Sequence, residues 1–78
     1  MPYIAIKAYP RDDKTKQELT RRINEAVLET LGCPRDAVCI SIEDVSPDVW
    51  EETVEKPLIE PNMDKMMLYW GEPTEKMK

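Results

Sequence analysis

Position 2 is the first residue with chemistry to offer. Inside a chain, proline nitrogen is an amide and has no basicity. At a free amino terminus it is a secondary amine, and initiator methionine is usually trimmed before a residue as small as proline. Ordinary α-amino groups titrate at about 7.7–8.0. Burial against apolar side chains and a nearby cation both lower that value, giving the partly neutral amine that a general base needs. Pro2 stands directly ahead of Tyr3-Ile4-Ala5-Ile6, a strand pattern, so a sheet would hold the nitrogen in place. Met-Pro starts are also common and inert, and the position gains weight only from its surroundings. The chain has no histidine, which removes a histidine base and a His-ligated metal. Its two cysteines, Cys33 and Cys39, are too few for a disulfide framework or an all-cysteine zinc site.

The elements that must position Pro2 follow from apolar spacing. Residues 3–9 alternate, with Ile4, Ile6 and Ala8 on one side and Tyr3, Ala5, Lys7 and Tyr9 on the other. This is a half-buried strand, and Pro10 ends it. Asp12 or Asp13 can cap a helix in which Leu19, Ile23, Ala26, Val27 and Leu31 recur at helical spacing. Gly32 and Pro34 stop that helix. Residues 38–43 alternate again, with Val38, Ile40 and Ile42 inward. Two strands joined by a long helix pair in parallel through a right-handed crossover. Their other face, with Tyr3, Ala5, Cys39 and Ser41, is too weakly polar for plain solvent, and a second subunit or the tail is expected to cover it. In the tail, Ser46-Pro47-Asp48 reads as a helix start. A short helix to about residue 55 would turn Val49, Trp50 and Val54 inward, and Pro57 and Pro61 would break it. Residues 62–68 could form another helical piece, and Tyr69-Trp70-Gly71 a short strand or turn.

Length and charge bound the function. The chain has 78 residues, so it is expected to be one domain over residues 1–78, with 72–78 frayed. A domain this small buries only about 60% of its unfolded surface, and self-association is the reinforcement left once metals and disulfides are set aside. Sixteen acids against eleven bases give a net charge of -5. That argues against nucleic acid or an anionic membrane as partner. The start of the chain lacks a signal-peptide pattern and no apolar run approaches a membrane span, so a cytoplasmic location is expected.

The start Pro2-Tyr3-Ile4-Ala5-Ile6, the turn Pro10-Arg11-Asp12, the helix with Leu19, Ile23 and Val27, and the strand Val38-Cys39-Ile40-Ser41-Ile42 occur in one order with tight spacing. Together they resemble the 4-oxalocrotonate tautomerase family, over about residues 2–50. The segment Ser46 to Trp50 is similar to the Pro-x-x-Trp segment of that family's dimeric branch. The resemblance implies short β-α-β subunits with an amino-terminal proline as catalytic base. It places a carboxylate-binding arginine at Arg11, where a guanidinium offers a planar fork beside a helix N-terminus. The alternative is a solvated turn residue paired with Asp12 or Asp13. It places an aromatic pocket wall at Trp50, which could equally be an ordinary core tryptophan. Many members carry a second arginine where this chain has Cys39. A thiol is a weak donor without positive charge, so a monoacid enol fits better than a diacid. Cys39 reads as a small pocket-wall residue, and Cys33 as loop packing.

The expected fold is therefore α/β, of the α+β two-layer kind: a tautomerase-like β-α-β subunit with parallel strands and a short helical C-terminal tail, completed by oligomerisation. The expected function is a cofactor-independent, metal-free tautomerase, an isomerase acting on a phenylenolpyruvate-like or 2-hydroxydienoate acid. Pro2 is its base and Arg11, Cys39 and Trp50 contact the substrate. The expected partners are that small molecule and a second copy in a homodimer, with no nucleic acid and no membrane. The rival readings are a dehalogenase or decarboxylase relative using the same proline, and a non-enzymatic dimerisation module sharing the fold.

Overall fold

Strand β1 spans Tyr3–Ala8 and strand β2 spans Cys39–Asp44. They pair in parallel, with Tyr3 opposite Cys39 at one end and Ala8 opposite Asp44 at the other. Ile4, Ile6 and Ala8 of β1 and Ile40 and Ile42 of β2 are half-buried, while Tyr3, Ala5, Lys7, Cys39, Ser41 and Glu43 are exposed. That is the alternation expected from the sequence, with β2 starting one residue later than expected. The exposed face carries a cross-strand ion pair, Lys7 Nζ to Glu43 Oε1 at 2.6 Å, and Tyr3, which is 75% exposed.

Helix α1, Asp13–Leu31, makes the crossover. Asp12 is the cap: its Oδ1 accepts the Thr15 N–H at 3.2 Å, satisfying one of the first-turn donors that have no helical partner. At the other end Gly32 adopts φ +66° and donates its N–H to the Leu28 carbonyl at 3.1 Å, a left-handed stop open to glycine. Three of the residues expected on the inward face do not bury: Ala26 is exposed, Leu19 is 41% exposed and Leu31 55%. The reason is size. The helix runs about 28 Å at 1.5 Å per residue, against about 20 Å for six-residue strands. Two strands about 4.8 Å apart cannot cover a helix roughly 10 Å wide. Ile23 and Val27, over the middle, are half-buried. A single 3₁₀ turn, Arg35–Ala37, leads into β2.

The computed structural model describes residues 1–78, as two compact units, Met1–Ser46 and Pro47–Lys78. In the first, the one buried residue is Val45, whose N–H donates to the Ala8 carbonyl at 2.8 Å.

In the second unit, α2, Pro47–Trp50, starts with proline and Asp48 in the first turn. It passes without a break into π-helical Glu51–Ile59. Pro57 therefore does not end the helix, contrary to expectation. In an α-helix its ring would clash with the carbonyl four residues back. Here the turns are wider, as the Glu60 N–H donating to the Glu55 carbonyl shows. The same five-residue spacing brings Lys56 Nζ to 3.3 Å from Glu51 Oε1. Val54 is the one buried residue of this unit. A 3₁₀ segment, Glu60–Lys65, follows with Pro61 in its first turn, where a missing N–H costs nothing. Met66 is extended, so the helical piece expected over 62–68 ends early. Strands β3, Leu68–Tyr69, and β4, Glu72–Pro73, form an antiparallel hairpin. Its two turn residues, Trp70 (φ 49°) and Gly71 (φ 84°), both have positive φ, the type I′ signature. Residues 72–78, expected to fray, instead contain β4 and a 3₁₀ turn at Glu75–Met77 capped by Thr74. No helix is long and apolar enough to cross a membrane.

The hydrogen bonds from Thr15 hold the exposed Asp12 carboxyl below its ordinary value of 3.8. A value lowered on folding stabilises the folded state above the unfolded value, and the contribution disappears as pH falls through the folded one. Asp12→Ala should lower Tm at neutral pH and Asp12→Asn should lower it less. The gap between wild type and Asp12→Ala should begin to narrow as pH falls below about 4 and keep narrowing through the lower folded-state value, as read by circular dichroism melts.

Candidate active site

Pro2 is half-buried at the head of β1. Its carbonyl accepts the Cys39 N–H at 3.0 Å, which extends the ladder by one bond and fixes residue 2 at the sheet. Cys39 opens β2 opposite Tyr3, and both side chains are exposed. Pro2 and Cys39 are thus brought together at the same end of the sheet.

Arg11 stands at the other end. It follows the close of β1 and precedes α1, so the full length of β1, about 20 Å, separates it from Pro2 of the same chain. Arg11 is exposed, and its Nη1 donates to the Pro10 carbonyl at 2.9 Å. Neither neighbouring acid takes it: Asp12 caps Thr15 and Asp13 lies 3.8 Å from Lys16 Nζ. The local ion pair considered from the sequence does not form. Trp50 closes α2 in the second unit and is half-buried there. Cys33 is half-buried and Cys39 exposed, both as free thiols.

Sequence reasoning passed over Arg35. It lies in the loop between Pro34 and β2, outside any periodic pattern, and a lone basic loop residue gives no signal. In the structure it lines a groove between α1 and β2.

Residues 2–52 match the family model described as tautomerase enzyme. The chain is also similar to a tautomerase PptA from Pectobacterium carotovorum, 25% identical over 68 residues that cover 85% of this chain and 90% of the relative. A probable tautomerase from Xylella fastidiosa is 34% identical over 68 residues, 86% of this chain and 83% of its own. A 2-hydroxymuconate tautomerase from Bacillus subtilis is 35% identical over 49 residues, 62% of this chain and 79% of its own. The matched span runs from the proline at the head of β1, through the parallel crossover, to the first turns of the tail helix: the chain belongs to the tautomerase family of isomerases.

Proposed function

We propose that this chain interconverts the enol and keto forms of a small monocarboxylic acid, with the Pro2 nitrogen, freed by removal of Met1, as the base. The observation that carries the reading is the bond from the Cys39 N–H to the Pro2 carbonyl. It holds residue 2 against the sheet, where a secondary amine would be fixed rather than mobile. The neutral amine takes the enol O–H proton. The C–O bond becomes a carbonyl, and the displaced double-bond electrons form a C–H bond with a proton returned by the prolinium. Nothing is gained or lost overall. Cys39 supports a monoacid, because the position offers no second cation beside the base. Trp50 serves as an apolar wall.

Arg11 binds the carboxylate, but it cannot do so for the Pro2 of its own subunit, from which β1 separates it. The site is therefore shared within a homodimer. Antiparallel pairing of two β1 edges places the head of one strand beside the tail of the other, so Pro2 of one copy meets Arg11 of its partner. Association also fits a chain in which Val45 and Val54 are the two buried residues and the outer sheet face is exposed. A cytoplasmic location accords with this reading.

Intact mass of active protein should show Met1 removed; full-length chain as the active species would overturn the base assignment. Pro2→Ala should abolish most of kcat toward phenylenolpyruvate, followed by ultraviolet absorbance, with the circular dichroism spectrum unchanged. Undiminished turnover would instead favour another base.

Arg11→Ala should raise KM about 10- to 150-fold, the equivalent of one charge-assisted hydrogen bond. Mixing Pro2→Ala with Arg11→Ala subunits should restore activity, to about a quarter of wild type for random two-fold pairing. A site built within one subunit would show no such rescue.

A further inference from the structure

Between α1 and β2 lies an open groove of about 610 Å³, inside the range of roughly 300–1,000 Å³ typical of small-molecule sites. Its floor is aliphatic. Val38, Ile40 and Ile42 line it, all half-buried and not covered by the helix. Its helical wall is polar. Thr20 and Asn24 face the groove, and both are half-buried. Thr20 Oγ1 donates to the Lys16 carbonyl at 2.8 Å, and the Asn24 amide has no partner in the chain. A helix meant to seal against this floor would carry apolar residues here, so the groove is built to be wet on one side and dry on the other.

The charges along it are not balanced. Lys16 Nζ is neutralised by Asp44 at 3.1 Å and Asp13 at 3.8 Å. Arg21 pairs with Glu18. Arg35, lining the groove where β2 begins, pairs with no carboxylate. Of the three basic side chains that line the groove, Lys16, Arg21 and Arg35, only Arg35 has no carboxylate partner, and it stands at one end of the aliphatic floor. We propose that this groove binds small amphipathic monocarboxylates, with the carboxylate on Arg35 and the tail along Val38, Ile40 and Ile42.

The occupant follows from that charge complementarity. One cation selects one anionic head, and the Asn24 amide can donate a further hydrogen bond to it. The floor of three β-branched side chains takes a chain of several methylenes, each contributing about 0.8 kcal/mol on burial. The groove lies on the β2 flank of α1. Leu19, Glu18 and Arg22 fall on the opposite flank at 100° per residue, so pairing of two copies through β1 leaves the groove open. This inference does not depend on the chemistry at Pro2.

The test is a titration of nitrogen-15-labelled full chain with octanoate and, in parallel, octanol. Octanoate should shift the amides of Thr20, Asn24, Ile40 and Ile42 saturably, and octanol should bind at least about tenfold more weakly. Arg35→Ala, with an unchanged Tm, should weaken octanoate at least about tenfold and leave octanol unaffected. Pro2→Ala should leave octanoate binding unaltered, which separates failure here from failure of the catalytic reading. Equal binding of acid and alcohol, shifts centred on Tyr3 and Cys39, or an Arg35→Ala affinity equal to wild type would each overturn the proposal. So would octanoate binding only on dissociation of an oligomer, since a second copy would then be the occupant.

Discussion

Two neighbouring strands that run the same way cannot be joined by a tight turn, because the chain must first travel back the length of the strand. Everything around the candidate site is a response to that requirement between β1 and β2. The return journey is α1, and its two ends are tied where the strands end, by Asp12 after β1 and Gly32 before β2. Parallel pairing also sorts the strand ends. The two strand beginnings, with Pro2 and Cys39, lie side by side. The turn with Arg11 is carried to the far edge. One topological fact thus fixes Pro2 against the sheet and carries the Arg11 guanidinium away from it.

The same pair of strands is too small to hide what it carries. In the first unit the side chains facing α1 reach only half-burial, and full burial is left to Val45, where the chain leaves the sheet. In the second unit it is left to Val54. A core this thin is not expected to support a folded monomer. In the proposed homodimer, association contributes stability and completes the arrangement of charges at once, so the two are linked by mass action.

Most of the first unit was legible in the sequence because its rules are local and periodic. Ile4, Ile6 and Ala8 alternate, Asp12 caps, and Gly32 stops the helix, each for a reason visible within a few residues. That Pro2 and Arg11 flank β1 at opposite ends was equally legible, since one precedes the strand and the other follows its closing Pro10; how two copies would pair was not, because spacing along one chain does not specify it. The exposure of Leu19, Ala26 and Leu31 lies outside what spacing can say: helical spacing identifies a face, not whether the sheet beneath is wide enough to cover it. The tail resisted for a third reason. Pro57 is a reliable breaker of α-helix, but its penalty is specific to the four-residue hydrogen bond, and this segment does not use that bond. Arg35 had no pattern at all, and its surroundings arise only when α1 and β2 are brought together.

The wide helix of the tail has a consequence for comparison among relatives. Closing a turn at five residues instead of four takes up extra sequence, so each such turn shifts the following side chains by about 100° from an α-helical count. From Glu51 onward, residues with equal numbers in two tails need not point in the same direction. The recognisable family pattern ends at residue 52, within a residue of where this change of pitch begins. A tail of similar composition in another member, wound as an ordinary α-helix, would present a different set of side chains to its surroundings. Divergence of such tails can then proceed by a change of winding, with little change in residue type.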